Sequence, residues 1–319
     1  MIDSHFPFKT ALVTGGGGFV GSHLVEELLK LNVKVICIDN FSAGKLINLE
    51  EFKDHNLLSL VKADITNFDD IVNHFKGVDV VFHQAVSKNT VCMKNPRLDL
   101  KTNAEGTFNV LEASRVHGVK KFIHASTGSV YGEPKYFPED EEHPTNPVSF
   151  YGTSKLAAEK YCLVFKNLFN MNVSILRYFH VYGPRQEEND YGGVVPIFIR
   201  RVLNNEPPII YGDGSQIRSF TYVKDVVKAN LLVASHANNT NGEIYNCASG
   251  LKITIKELAN LVLNKLNREY INIEYKDWKP GDIRHFDIDN SKIKKIGMHF
   301  DWGFKDGVDN TITWLKNKK

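Results

Sequence analysis

Disulfides, metals and membranes are the first things this chain does without. Its 319 residues include four cysteines, Cys37, Cys92, Cys162 and Cys247, scattered and never paired as Cys-x-x-Cys. That argues against a disulfide framework or a thiolate zinc site, and it fits a reducing compartment. The twelve histidines contain no His-x-x-x-His pair, so no structural metal is expected. No apolar run approaches the about 20 residues that span a bilayer. Met1-Ile2-Asp3-Ser4-His5 has no signal-peptide pattern, and a cytoplasmic protein off the membrane is expected. A formal net charge of +2 gives no electrostatic reason for nucleic acid or a membrane as partner. There is no internal repeat and no low-complexity block, and the Lys-rich end from Lys316 reads as a solvated tail. Composition is otherwise ordinary, with 42% hydrophobic and 24% charged residues, and the length gives ample core for one large domain or two.

What is present is an alternation of strands and helices that opens on glycine. Thr10-Ala11-Leu12-Val13-Thr14 reads as a buried strand, and residues 15–18 are four glycines before Phe19-Val20-Gly21. Ser22 to Leu31 then has helical periodicity, with Val20, Leu24, Leu28 and Leu31 on one stripe. Strand, glycine turn and helix are the context of a dinucleotide site, here spaced Gly15-x-x-Gly18-x-x-Gly21. The glycines let backbone approach a pyrophosphate, and the helix N-terminus supplies free N–H groups. A second strand, Val33 to Ile38, ends in Asp39-Asn40, at the distance suited to an acidic residue on the adenosine ribose. An Asp there repels a 2′-phosphate, which favours NAD over NADP. The loop Phe41-Ser42-Ala43-Gly44-Lys45 is placed to touch the adenosine end. Leu58 to Lys62 is a third strand leading to Asp64-Ile65. Asp64 either reaches the adenine amino group or caps a helix from Asn67 to Phe75. Val78 to Phe82 is a fourth strand, opening into His83-Gln84-Ala85-Val86-Ser87, where small residues leave room for a cofactor. A helix from about Leu98 to His117 follows, and Lys121 to Ala125 is the fifth strand, delivering Ser126-Thr127.

This is the pattern of a doubly wound parallel α/β sheet. Val173 to Arg177 adds a strand, and from Tyr178 the alternation weakens. The expected division is a cofactor domain over residues 1–178, with 217–247 returning to it. A smaller C-terminal α/β substrate domain would come from 179–216 and 248–319. Within that part Val194 to Leu203, Val223 to Ser235, Thr254 to Leu266 and Thr311 to Lys316 read as helices. Arg218, Lys279 and Arg284, far apart in sequence, are candidates to converge on a second phosphate group.

The stretch from Ser126 to Lys155 carries the chemistry. Pro144 to Ser149 signals a helix start, and Tyr151 and Lys155, four apart, share one face. A lysine ammonium beside a phenol favours the phenolate, making a proton-transfer pair. The pattern alone is weak, because Tyr-x-x-x-Lys also occurs at Tyr131 and Tyr275. Those copies have Pro134 within and Pro280 immediately after, and are not expected to be helical.

Taken together, the Thr-Gly-x-x-Gly-x-x-Gly run at 14–21, Asp39, Ser126-Thr127, Tyr151-x-x-x-Lys155 and the run from Arg177 to Gln186 resemble the extended short-chain dehydrogenase/reductase superfamily. Within it the chain resembles nucleotide-sugar epimerases and dehydratases, UDP-hexose 4-epimerases above all, over nearly its whole length. The resemblance implies a tightly held NAD contacted by Gly15, Gly18, Phe19, Val20, Gly21, Asp39, Asn40, Ser42, Gly44, Lys45, Asp64, Ile65, Gln84, Ala85, Tyr151 and Lys155. It implies that Tyr151 is the base at the sugar 4-hydroxyl. Lys155 would hold the nicotinamide ribose and lower the tyrosine's pKa, and Thr127 would bond the same sugar oxygen. Ser87, Ser129 and His180 would line the sugar site, Arg218 with Lys279 or Arg284 would hold the diphosphate, and Val194 would pack near the base. The helices Leu98–His117 and Ser149–Phe169 resemble those of a four-helix homodimer interface.

Three departures bear on the reaction. Dehydratases of this group carry acids just after the catalytic Thr, and uronate decarboxylases usually carry Glu at the second of those places. Here Gly128 and Ser129 stand there, which favours epimerisation. His180 replaces a common Asn, and Lys279 a common Arg, which loses bidentate phosphate geometry. Phe286 falls where relatives accepting N-acetylated sugars have a small residue, which points to non-acetylated sugars. The expectation is an NAD-dependent nucleotide-sugar 4-epimerase. A 4,6-dehydratase or UDP-uronate decarboxylase, an ordinary dehydrogenase, and a non-catalytic NAD-binding sensor are the alternatives.

Overall fold

A computed structural model describes residues 6–88, 92–189, 192–278 and 284–317. Its frame is a seven-stranded sheet. In chain order the first three strands are β1 (Thr10–Thr14), β2 (Lys34–Asp39) and β3 (Leu58–Lys62). They are followed by β4 (Val80–His83), β5 (Lys121–Thr127) and β6 (Val173–Tyr178). The seventh strand enters late in the chain, at Ile244–Cys247. The spatial order, from that strand inward, is late strand, β6, β5, β4, β1, β2, β3. Every pairing in this sheet is parallel. β1 and β4 are buried on both faces, which is why they read as continuous apolar runs rather than alternating ones. β3 lies at the edge and is largely exposed.

Helix α1 (Phe19–Lys30) packs on one face of the sheet, where Leu24, Val25 and Leu28 meet Ala11, Val13 and Val35. α2 (Phe68–Ile71) runs into a 3₁₀ turn, Val72–Phe75. Next comes α3 (Pro96–Asp99), a π-helical turn (Leu100–Glu105) and α4 (Gly106–Val116). The expected Leu98–His117 helix is therefore interrupted by a wider turn. α5 (Phe150–Phe169) starts on Ser149, whose side chain accepts from the Gly152 N–H, and stops at Asn170 in the left-handed region. On the second sheet face Val110, Leu111, Cys162 and Phe165 of α4 and α5 cover Leu12, Ile38, Val81 and Phe122.

Beyond Tyr178 come β7 (Val181–Tyr182), α6 (Val194–Leu203), β8 (Ile209–Tyr211), β9 (Ile217–Arg218) and β10 (Thr221–Tyr222). α7 (Val223–Ser235) returns to the first face, beside α1, and β11 (Ile244–Cys247) is the late strand beside β6. After it follow β12 (Ile253–Thr254), α8 (Ile255–Lys265), β13 (Glu274–Lys276), α9 (Ser291–Lys295) and α10 (Phe304–Asn317). Thr254 opens α8 with a capping box to Glu257. A second core joins Val195, Phe198 and Val202 of α6 to Leu258 and Val262 of α8 and Val308 and Ile312 of α10. Three short ladders, β7–β10, β8–β13 and β9–β12, knit this part together. The sequence missed β11 and the first half of α10. Asp64 does not cap α2: Asn67 holds that place, and Asp64 accepts from the Thr66 N–H and Asn40 Nδ2.

Candidate active site

The site lies where the strand order reverses, at the carboxyl ends of β1 and β4, the place at which doubly wound sheets bind ligands. Gly15 has φ +65°, and a Cβ on it would sit 2.7 Å from the Ala85 Cα. Only glycine lets the β1 turn press on the loop after β4. Gly18 is the N-cap of α1 and offers no side-chain cap, so the helix's first N–H groups stay open to an anion. Asp39, at the end of β2, is buried and accepts from the N–H of Gly17 at 2.9 Å and of Phe41 at 2.7 Å. Burial pushes its carboxyl up. Two such bonds leave lone pairs for a diol. Gly44 lies against this carboxylate, and the Lys45 N–H donates to the Gly17 carbonyl. Ser42 and Asp64 both bond to Asn40, and Ile65 is buried beside Gly106. Phe19 and Val20 open α1 half-buried. The glycine cradle, the uncapped helix end and the buried acid fit a dinucleotide.

On the inner side, Gln84 bonds to both Asn230 and Tyr178. Ser87 is clamped by Asn103, which accepts from its N–H and donates to its carbonyl. Asn103 also donates to Asp99 and to Ser154, so the π turn, the loop after β4 and α5 share one buried network. Lys88 pairs with Glu187 across the loops at 2.5 Å. Sequence reading did not find Asn103, Asp99 or Glu187. The available signal was an Asn and an Asp four apart within an apolar helical stretch.

β5 delivers Thr127, and the first turn of α5 delivers Tyr151. Thr127 Oγ1 lies 3.2 Å from Ser129 Oγ and accepts from the Ser129 N–H. Tyr151 is partly buried and hydrogen-bonded to Thr127; burial pushes its phenol up to about 12, with that bond pulling the other way. Lys155 is buried, and burial lowers it to about 8. The expected lowering of Tyr151 by Lys155 is not found. The Lys155 Nζ faces His124 Nε2, 3.3 Å away, and burial dominates the tyrosine. Beneath them Glu159 joins Ser126 to Arg177, a bidentate pair with both side chains at 3% exposure or less. It fixes α5 on β5 and β6.

Beyond Tyr178, His180, Arg218 and Phe286 converge. The His180 ring centre is 4.8 Å from that of Phe286, over which Arg218 Cζ lies at 5.2 Å. Burial, reinforced by the Arg218 charge, lowers His180 to about 3 and keeps it neutral. The Ile217 N–H donates to the Arg284 carbonyl, which brings the two arginines onto neighbouring backbone, and Arg284 stacks on Trp278 at 4.6 Å. Lys279 lies outside the described residues. Val194 begins α6. Gly128 is pressed against Phe179, whose ring a Cβ at 128 would overlap. Among the described residues no three His, Cys, Asp or Glu could hold a metal, and no helix is long and apolar enough to cross a membrane.

The chain is similar to known proteins over nearly its whole length. A family model described as the NAD dependent epimerase/dehydratase family matches residues 11–248. A Methanocaldococcus jannaschii protein, provisionally named a UDP-glucose 4-epimerase, is 39% identical over 96% of this chain and 98% of its own. A UDP-N-acetyl-alpha-D-glucosaminuronate decarboxylase of Bacillus cytotoxicus is 35% identical over 97% and 98%. Among solved structures, the UDP-N-acetylglucosamine 4-epimerase of Methanobrevibacter ruminantium, in complex with UDP-N-acetylmuramic acid, superposes with a TM-score of 0.92. It shares 36% identity, covering 97% of this chain and 98% of its own.

Proposed function

The chain belongs to the NAD dependent epimerase/dehydratase family, and on that premise we propose that it is a nucleotide-sugar 4-epimerase. NAD, when bound, supplies the hydride acceptor and donor at the sugar C4. The chain's residues do the rest. Tyr151 takes the proton of the 4-hydroxyl as C4 is oxidised and returns it when C4 is reduced from the other face. Thr127, bonded to Tyr151, steadies the same oxygen. Lys155 and Asp39 hold the two riboses of the cofactor. Arg218 and Arg284 meet the diphosphate, and Val194 packs near the base. The cofactor then rests on residues 1–178 with 217–247, and the sugar nucleotide on the remainder.

The observation that carries epimerisation over elimination is Gly128 against Phe179, with Ser129 beside it. Neither position offers a general acid or base, and the ring leaves no room for one at 128. The UDP-uronate decarboxylase reading is kept for one reason, the decarboxylase among the relatives. Phe286, packed between His180 and Arg218, narrows the sugar side and supports non-acetylated UDP-hexoses. A homodimer is part of the proposal. Leu98, Leu100, Phe108, Tyr161, Val164 and Leu168 lie exposed on the outer faces of α3 to α5 and invite a second copy.

The test is product analysis in deuterated water, with NAD and a panel of UDP-, dTDP-, GDP- and CDP-sugars, acetylated and uronic ones included. An inverted C4, unchanged mass and no deuterium at C4 are expected. Loss of water with deuterium at C5, or release of carbon dioxide from a uronate, would replace the epimerase reading.

A further inference from the structure

Lys155 is buried at 2% exposure. The acids nearest it are committed elsewhere. Glu159, on its own helix, is held by Ser126 and Arg177. Asp99, from α3, accepts from Cys92, Asn103 and Ser154. Cys162 is buried, and burial holds it as a thiol. His124, in the middle of β5 and wholly buried, is what meets the ammonium, Nζ to Nε2 at 3.3 Å.

The protonation state of that imidazole follows from donor accounting. The Thr107 hydroxyl donates to the Asn103 carbonyl at 2.6 Å, so toward His83 Nε2 it accepts. His83 therefore carries its proton on Nε2, and its Nδ1 accepts from Thr14. Both of its nitrogens are spent, and it cannot relay a proton to His124, whose ring centre is 5.4 Å away. Burial, the Lys155 charge and His83 keep His124 neutral. An Nε2 that accepts from an ammonium puts the ring proton on Nδ1, and Nδ1 has no partner. A buried donor left without a partner is costly. The chain bears that cost on the strand that also carries Thr127, and what stands against it is an acceptor for Lys155.

We infer that His124 is a positioning residue: its neutral Nε2 accepts from Lys155, keeping the buried lysine charged and aimed at the place where the nicotinamide ribose is to bind. The inference rests on the reading of Lys155 as the cofactor-side lysine. His124→Phe keeps a ring beside His83 and removes the acceptor; His124→Gln can restore one. The experiment follows the lysine Cε signal in ¹³C-lysine-labelled full-length protein against pH, with and without NAD, using Lys155→Met for assignment.

In wild type the cofactor-free midpoint is expected at about 8. His124→Phe should lower it by about one unit, a tenfold change in the protonation equilibrium, and His124→Gln should bring it back. The pH above which NADH fluorescence titration shows affinity falling should move in step. His124→Leu replaces the Phe variant if that one does not fold. An unmoved midpoint in the acceptor-less variant overturns the inference. So does a folded Gln variant that behaves like Phe, since the position would then serve packing alone. The cofactor-free titration involves no sugar, so this contact and the proposed reaction fail separately.

Discussion

The ring of Phe179 occupies the space that a side chain on residue 128 would need. Phe179 is buried and stacks at 6.3 Å on Tyr131, which in turn lies under Arg177, so it has little freedom to move aside. Gly128→Asp is therefore expected to destabilise by at least the about 1–3 kcal/mol typical of an overpacked core, with an unpaired buried charge added. It should give no dehydrated product. Adding Phe179→Ser should recover part of the loss. Denaturant midpoints of the three variants check this, and a Gly128→Asp protein as stable as wild type would sink it.

Tyr151→Phe removes the proposed base and little else. Folding and NAD binding should persist while turnover falls on the order of 100-fold or more. Wild-type turnover in that variant would take Tyr151 out of the mechanism.

Asp39 accepts from two backbone N–H groups and is still the only acid at the end of β2. Asp39→Ala should weaken NAD binding about tenfold or more, the worth of a charge-assisted hydrogen bond. The checking measurement is a fluorescence titration with NADH; unchanged affinity would move the ribose contact elsewhere.

Lys121 is wholly buried at the far end of β5 and donates to Asn172, Ser174 and Thr240, with no acid paired to it among the described residues. Burial lowers it to about 7 from 10.5. The folded state thus binds fewer protons than the unfolded chain between those values, and this group's contribution to stability rises with pH across that window. Urea unfolding of wild type and Lys121→Met at pH 7 and 9.5 isolates the effect. The wild type should gain on the variant as pH rises, and a constant gap would mean that Lys121 does not titrate in the fold.

Leu168 is 71% exposed on α5, in the apolar face proposed to meet a second copy. Leu168→Glu paired with Val164→Glu should halve the mass measured by light scattering. A wild type that already runs as a monomer would remove the interface from the proposal.

The first half of the fold was legible because its signals are local. Glycine after a buried strand, an acid at the end of the next, and a tyrosine in a first helical turn each declare themselves within about ten residues. β11 did not, since four residues following the turn at Asn241-Gly242 become a strand only by lying beside β6. The same holds for the contacts that decide chemistry. Lys155 was read against Tyr151, its helix neighbour, whereas its nearest partner is His124 on another strand. Gly128 was read for the acid it lacks; that Phe179 forbids the acid is a fact of packing. Arg218, Lys279 and Arg284 were expected to converge on a phosphate group; the backbone bond from Ile217 to Arg284 brings two of their backbones together, while Lys279 lies outside the described residues.

The π-helical turn at Leu100–Glu105 has a consequence of another kind. It carries an extra residue relative to the α-helix on either side, and one residue of α-helix is about 100° of rotation. Shortening the chain by one there would leave a smooth helix whose leading half is turned a quarter-circle or more. Asp99 would swing off Ser154, and Asn103 off Ser87. The segment is thus phased by its length as much as by its letters. A single-codon deletion at 100–105 should do more harm than most replacements of the same residues, while one in the exposed loop at 53–56 should pass almost unnoticed.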